Sequence, residues 1–169
     1  MSPDLGALLE VIALSIKSCS ETFKAQNVGN CLYGMQGMSS DCFEVRALLS
    51  ALLPKVEACK MALSAQEVGI GLYGMQGMEV GVYFYGNDGA EGRAMLTAMV
   101  PKVESCREAL DAQAVGNALY GMQKMSSNSF EVRAMLSALA PKVENCREAL
   151  DAQAIGNALY GMQQMSSDS

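Results

Sequence analysis

The sequence contains no histidine and no tryptophan. Histidine is the usual general base of enzymes and the commonest metal ligand, so its absence excludes Ser/His/Asp and Cys/His catalytic arrangements and most zinc sites. The six cysteines include no CxxC pair that would bring two thiolates to one metal. We therefore predict that the protein is not an enzyme, and we expect no catalytic residue, metal or cofactor.

Basic residues are also scarce. Lys and Arg together number 12 against 18 Asp and Glu, which gives a net charge of −6. Proteins that neutralise nucleic-acid phosphates normally carry a basic surface, so RNA is a possible but disfavoured partner.

The most apolar stretch, residues 5–16, contains Glu10 and is too short to cross a bilayer. No membrane span and no small-molecule substrate are expected.

The sequence does have high hydrophobic content and internal repetition. Half of its 169 residues are hydrophobic, which favours a single folded domain over residues 1–169. The pentapeptide Leu-Tyr-Gly-Met-Gln begins at Leu32, Leu72, Leu119 and Leu159, with spacings of 40, 47 and 40 residues. The chain is therefore divided into four tandem units, about 3–42, 43–89, 90–129 and 130–169, and the second carries a seven-residue insert.

Each unit predicts two helices, which we call A and B. Apolar residues recur at helical spacing over Phe130–Cys146 in unit four, and Pro141 within this A helix predicts a kink or break, as do Pro54 and Pro101. The B helix follows Asp151, a favourable N-cap residue, and is predicted to run to near Met165. Asp111 and Ser64 occupy the same position, whereas Lys24 is a poor cap. The sequence predicts an all-α fold, a short α-solenoid of four αα-hairpins.

Two residue types recur with the repeat in positions that need a packing explanation. The cysteines Cys19, Cys59, Cys106 and Cys146 share one phase, and stacking units about 10 Å apart keeps them beyond disulfide reach. We expect them to be buried and reduced, which indicates an intracellular, reducing environment.

Two glycines also recur in each B helix. Each costs about 0.5–1 kcal/mol of helix stability, so we predict that they permit close approach of neighbouring units. These are Gly29, Gly69, Gly116 and Gly156, and Gly34, Gly74, Gly121 and Gly161.

A polar face recurs on the B helices. In unit four Gln153, Asn157 and Tyr160 share this face with Gln164, and unit two has Ile70 in place of asparagine. The amides either bond to loops and helix ends within the solenoid or form a recognition face for a protein segment or nucleotide bases. The other members of this candidate face are Gln26, Asn30, Tyr33, Gln66, Tyr73, Gln113, Asn117 and Tyr120.

The insert is the clearest departure from repetition. Val80 to Tyr85 is rich in strand-forming residues, and the following Gly86 to Gly89 is a turn signal. The insert either folds back onto the solenoid or forms a binding loop. In the second case Tyr83, Phe84 and Tyr85 are candidate partner contacts.

The ends and the charged positions carry further expectations. Unit one has diverged as a polar cap would, whereas Ile155 and Leu159 of unit four are typical of an interior repeat and predict a partly apolar end. Val132, Met135 and Leu139 of the same unit are expected to contribute to that end.

A recurring pattern of an acidic residue near a lysine predicts a solvated face. It comprises Glu57, Glu104 and Glu144 beside Lys55, Lys102 and Lys142.

The segment LDAQAVGNALYGMQKM, from Leu110 to Met125, and its copy from Leu150 place an Ala-Gln pair before an apolar helix with an asparagine and a central aromatic residue. This signature resembles the octotricopeptide-like and RAP-associated αα helical repeats of algal and protist organelles. The resemblance implies an αα-solenoid that binds RNA in a plastid or mitochondrion. The acidic balance and the presence of only four units instead favour a non-enzymatic scaffold or protein-interaction module, an accessory subunit of a larger assembly. Organellar RNA binding is the alternative.

Overall fold

The computed structural model describes residues 2–80 and 89–166, and those residues form eight α-helices. The A helices are α1 (Pro3–Ser18), α3 (Phe43–Ala58), α5 (Ala90–Ser105) and α7 (Phe130–Glu144). The B helices are α2 (Ala25–Tyr33), α4 (Ala65–Tyr73), α6 (Ala112–Tyr120) and α8 (Ala152–Gly161).

The helices stack in two layers. Each A helix packs on the A helix of the next unit, and the B helices stack in the same way from α2 to α8. The prediction of an all-α solenoid of αα-hairpins is confirmed. A continuous apolar core lies between the layers and includes Val28, Val68 and Val115, one from each of the first three B helices.

The three prolines do not break their helices. The helices α3, α5 and α7 contain Pro54, Pro101 and Pro141. They continue beyond these prolines to Ala58, Ser105 and Glu144. All three prolines are exposed. The ring of each therefore faces solvent, while buried residues before and after it, such as Leu52 and Val56 in α3, hold the helix against the core. Of the predicted kink or break, the break is wrong.

The B helices are shorter than predicted. They do not continue to the region of Met165 but end at Tyr33, Tyr73, Tyr120 and Gly161. A tight turn follows, in which the amide of Met35 donates to the carbonyl of Leu32 at 2.9 Å and that of Met38 donates to Met35 at 2.9 Å. These short-range bonds replace helical ones, and they turn the methionines into the core. Buried methionines of these turns are Met35, Met75, Met78, Met122 and Met125.

The predicted N-caps of three B helices are confirmed. The side chains of Asp111 and Asp151 accept from the amides of Ala114 and Ala154, each at 2.7 Å, and Ser64 accepts from Glu67 at 3.2 Å. In unit one the N-cap residue Lys24 provides no capping side chain, and a side chain from the first turn of α2 bonds to the backbone instead. The amide oxygen of Asn27 accepts from the backbone nitrogen of Lys24 at 2.9 Å.

The first glycine of units one to three allows close helix packing, as predicted. A Cβ atom built on Gly69 would lie 2.9 Å from the Cα atom of Ala114, and one on Gly116 would lie 3.0 Å from that of Ala154. The second glycine is also at a close contact in units two to four, but in every unit it lies at the end of its helix. Gly34, Gly74 and Gly121 are C-cap residues rather than interior helical residues, and Gly161 is the last residue of α8.

All six cysteines are free thiols, so the predicted absence of disulfides is confirmed. Burial of the cysteine ladder is only partly as predicted. Cys59 and Cys106 are buried, whereas Cys19 and Cys146 are half-buried. The difference arises because the two end cysteines each have a neighbouring unit on one side only.

The insert begins as part of the fold. Val80 is fully buried, forms an isolated parallel bridge with Met125, and its carbonyl accepts from the amide of Ser126 at 2.8 Å. Gly89 precedes α5 with a φ of 66°, a left-handed conformation that favours glycine. Residues 81–88, with Tyr83, Phe84 and Tyr85, lie outside the described residues.

Over the ranges 2–80 and 89–166, no helix combines the length and the apolar character needed to cross a membrane.

Candidate binding surface on the B helices

The predicted amide positions form a surface along the stacked B helices. Glutamines at the second position of each helix are exposed, and the asparagines one turn later are exposed in unit one and half-buried in units three and four. We call this the amide surface. It comprises Gln26, Asn30, Gln66, Gln113, Asn117, Gln153 and Asn157.

Two equivalent grooves cross the amide surface between neighbouring helices. The groove between α4 and α6 has a volume of about 300 Å³ and is walled by Gln66, Gln113 and Asn117. The groove between α6 and α8 has about 220 Å³ and is walled by Gln113, Asn117, Gln153 and Asn157. The floors of the grooves are the Gly–Ala contacts between the helices. Because glycine and alanine have little or no side chain, they leave a shallow groove between the larger amide side chains.

The amides are not used to hold the solenoid together. In the part of the chain that the structure describes, the side chains of the amide surface make no hydrogen bond to a loop or helix end. An amide pair that does link neighbouring units lies beyond the helix ends, where Gln123 Nε2 donates to Gln76 Oε1 at 2.9 Å. Of the two interpretations of these amides, the internal packing role lacks the bonds it requires.

The tyrosines of the same face form a continuous ladder. The rings of Tyr73 and Tyr120 are stacked with centroids 5.4 Å apart, and Tyr120 and Tyr160 are stacked at the same distance. Tyr33 and Tyr73 are tilted by 34° with centroids 6.1 Å apart. The sequence predicts the row but not the ring stacking, which depends on the side-chain rotamers. Ring faces between units are therefore occupied by neighbouring rings.

The amide surface carries almost no charge. Across the four B helices the sequence has a single charged residue, Glu67, whose carboxylate accepts from the backbone nitrogen of Ser64 at 2.7 Å. The carboxylates of Asp111 and Asp151 at the groove margins are likewise bound to backbone amides. Neutral donors and acceptors therefore dominate the surface, and the charges at the margins of the two grooves are acidic, whereas Lys24 holds the equivalent position before α2.

Unit two interrupts the asparagine row. Ile70 stands where the other units have asparagine, and it lines the groove between α4 and α6. This groove is therefore more apolar on one wall than the groove between α6 and α8. The two grooves differ in chemistry although their backbones are equivalent.

The recurring lysines have a structural role that the sequence interpretation missed. Lys55, Lys102 and Lys142 do not form a solvated face; their ammonium groups donate to backbone carbonyls of the preceding unit. The acceptors are Cys19, Cys59 and Cys106, which follow the last turn of each preceding A helix. The helix carboxyl end attracts cations, so lysine fits this position. Glu57, Glu104 and Glu144 are exposed, as expected.

Reactive groups do not converge on any surface among the described residues. Over residues 2–80 and 89–166, no group of three or more His, Cys, Asp or Glu side chains could hold a metal ion. Burial raises the pKa of the Cys31 thiol, which favours its protonated form. A hydrogen bond from Ser129 lowers the pKa of Glu131, a carboxylate at the start of α7 away from the amide surface.

No family model, curated protein or solved structure matches this chain. Its function must therefore be inferred from its own surfaces.

Proposed function

We propose that the protein is a non-enzymatic helical-repeat module that binds an extended, uncharged segment of another protein along the amide surface. The observation that carries this proposal is the repeated set of amides that have no hydrogen-bond partner among the described residues, five of which wall the two grooves. A carboxamide offers both donors and acceptors, as a peptide backbone does. Each unit would therefore contribute bonds to an extended chain lying across the B helices.

The charge and the tyrosine ladder favour protein over RNA as the partner. Recognition of single-stranded RNA uses basic surfaces and aromatic faces on which bases stack. Here the inner tyrosine faces are occupied by each other, and the chain has a net charge of −6. A role as an accessory subunit of a larger assembly follows from this proposal. Location in an organelle rests on the octotricopeptide-like resemblance alone.

The proposal is tested with peptides selected from a random displayed library against the whole chain. Binding of the selected peptides is then measured by fluorescence polarisation, and we expect Gln113→Ala with Asn117→Ala to weaken it by at least tenfold. These two residues line both grooves, so both sites lose polar contacts. The matched control is Asn128→Ala with Gln163→Ala, two exposed amides outside the B helices that should leave affinity unchanged.

A second arm uses labelled single-stranded RNA of mixed sequence at physiological salt. We expect a dissociation constant of about 10⁻⁴ M or weaker, the range of non-specific binding. Micromolar RNA binding that is lost in the Gln113→Ala, Asn117→Ala variant would replace the protein proposal with the RNA alternative. Selected peptides that bind both double variants equally would contradict the amide surface as the site.

A further inference from the structure

The two ends of the array expose apolar residues whose equivalents are buried inside it. In α1, Leu8 is 54% exposed and Val11 is 59% exposed, whereas the equivalent Leu48 and Ala51 of α3 are 5% and 1% exposed. Unit one is therefore not the polar cap that its divergence predicts. We call this surface the first-unit face, and it comprises Leu5, Leu8, Val11 and Ile12 of α1, with Gly34 after α2.

The opposite end exposes the surface on which a following unit would stack. Ile155 and Leu159 of α8 are 46% and 64% exposed, whereas the equivalent Val115 and Leu119 of α6 are 0% and 8% exposed. The sequence prediction of an apolar end is confirmed for these two residues. It is wrong for Val132, Met135 and Leu139, which are buried because they face the core of their own unit. The fourth-unit face comprises Leu136, Val143, Cys146, Leu150, Ile155 and Leu159, with Gly156.

The backbone at both faces retains the features of an interior contact. A Cβ atom on Gly74, Gly121 or Gly161 would collide with the carbonyl oxygen of a leucine in the preceding unit. Gly34 holds the same position in unit one, where the nearest atoms are carbonyls of its own helix, at 3.4 and 3.5 Å. A Cβ on Gly156 would have nothing within 4 Å, although its equivalents Gly69 and Gly116 contact the next unit. The two open glycines are therefore complementary halves of one contact.

We propose that the fourth-unit face of one molecule binds the first-unit face of a second copy, which continues the solenoid head to tail. The contact would repeat the interface that already occurs three times within the chain, between units one and two, two and three, and three and four. Gly34 would meet the carbonyl of Leu159, and Gly156 would meet Asn27 of the second copy. The larger Glu67 is already accommodated against Gly29 at the equivalent contact, so Asn27 fits.

This association goes beyond the proposed peptide binding and would extend its surface. Tyr160 and Tyr33 are both exposed at the ends of the tyrosine ladder, and stacking of copies would bring them together as the interior tyrosines are. Such a contact uses two different faces, so a dimer keeps one open face of each kind and can add further copies. One bond of the interior interface is missing, because Ser15 stands at the position of Lys55. The contact between copies is therefore weaker than those within the chain.

Sedimentation velocity of the whole chain across about 1–500 µM tests the proposal. We expect the average mass to rise with concentration without stopping at a dimer. Leu8→Glu and Leu159→Glu each remove one face at an exposed position, so each variant should fold normally by circular dichroism and remain monomeric. An equimolar mixture of the two should form a dimer and nothing larger, because only one intact pair of faces remains.

Two further variants distinguish head-to-tail stacking from nonspecific hydrophobic association. Gly156→Ala adds one methyl group to a surface with no neighbour, and it should weaken association by about tenfold because the equivalent interior contact leaves no room for a Cβ. Ser15→Lys should strengthen association by about tenfold, since it supplies the missing bond to the carbonyl of Cys146. A wild-type chain that is monomeric at every concentration would overturn the proposal. Continued self-association of Leu8→Glu or Leu159→Glu alone would overturn it as well.

Discussion

At the scale of single residues, the two glycines of each unit act on opposite neighbours. The first contacts the following unit, as Gly69 contacts Ala114, and the second contacts the preceding unit, as Gly121 contacts Leu72. Every interior interface therefore contains two backbone contacts that exclude a side chain. The helix-propensity cost of glycine is offset by the closer packing of apolar side chains around these contacts.

The position of a glycine in the array therefore predicts the effect of replacing it. We expect Gly121→Ala to destabilise the protein by about 1–3 kcal/mol, because its Cβ atom would collide with the carbonyl of Leu72. The matched control is Gly34→Ala, because Gly34 has no preceding unit against which a Cβ atom would collide, and this change should alter stability by less than about 0.5 kcal/mol. Urea unfolding at low protein concentration measures both. Equal destabilisation by the two substitutions would contradict the packing role of the second glycine.

The cysteines show that residue burial depends on place in the array as well as on residue type. Cys59 and Cys19 occupy the same phase of the repeat, yet only Cys59 has a unit on each side. The repeat period predicts that they are equivalent. It cannot predict the difference, since exposure at an end depends on what stacks there.

At the scale of helices, the sequence predicts the existence and type of all eight but misplaces the end of every B helix. Apolar spacing and N-cap residues such as Asp111 mark where the helices begin. Their apolar spacing continues into the Gly-Met-Gln turn, because buried methionines there mimic a helical face. The helices end where bonds to the carbonyl three residues earlier replace helical ones, as when the amide of Met122 donates to Leu119 at 3.0 Å, and the apolar spacing does not mark that change.

The A helices show the same limit at their prolines. Pro101 satisfies the usual rule for a helix break, but α5 continues to Ser105 because Met99 and Val103 are buried on both sides of it. The lysine after each proline then bonds to the preceding unit. The Pro-Lys pair is visible in the sequence at a fixed phase, and its regularity is the signal that could have indicated a contact between units.

This lysine contact should contribute measurably to stability. We expect Lys102→Met, which keeps the aliphatic stem, to destabilise the protein by about 1–2 kcal/mol because the carbonyl of Cys59 loses a charged donor. The melting temperature should fall by roughly 2–8 °C. Lys60→Met is the control, since Lys60 is exposed and should be neutral within about 0.5 kcal/mol. Equal melting temperatures for the two variants would show that the bond adds nothing to stability.

At the scale of the whole molecule, the amide surface, the tyrosine ladder and the two end faces all follow from stacking similar units in one direction. The row of exposed amides and tyrosines is predictable because the repeat fixes its phase. The grooves between the helices are not, since they depend on the helix spacing that Gly69 and Gly116 set. The apolar first-unit face is likewise visible only once the packing of α1 against α3 shows which side it leaves open.

The stacking of units also predicts which parts of the protein unfold locally first. Interior helices such as α4 and α6 have a neighbour on each side within their layer, whereas α2 and α8 have one each. In a repeat array, stability is approximately the sum of each unit and its interfaces, so end units should open at lower free energy than interior ones. Hydrogen exchange followed by mass spectrometry at low protein concentration should show amides of α2 and α8 exchanging at least tenfold faster than those of α4 and α6. Uniform protection along the chain would instead indicate one cooperative unit. Raising the concentration should slow exchange at both ends selectively if copies stack, and Leu159→Glu should abolish that slowing while leaving the interior unchanged.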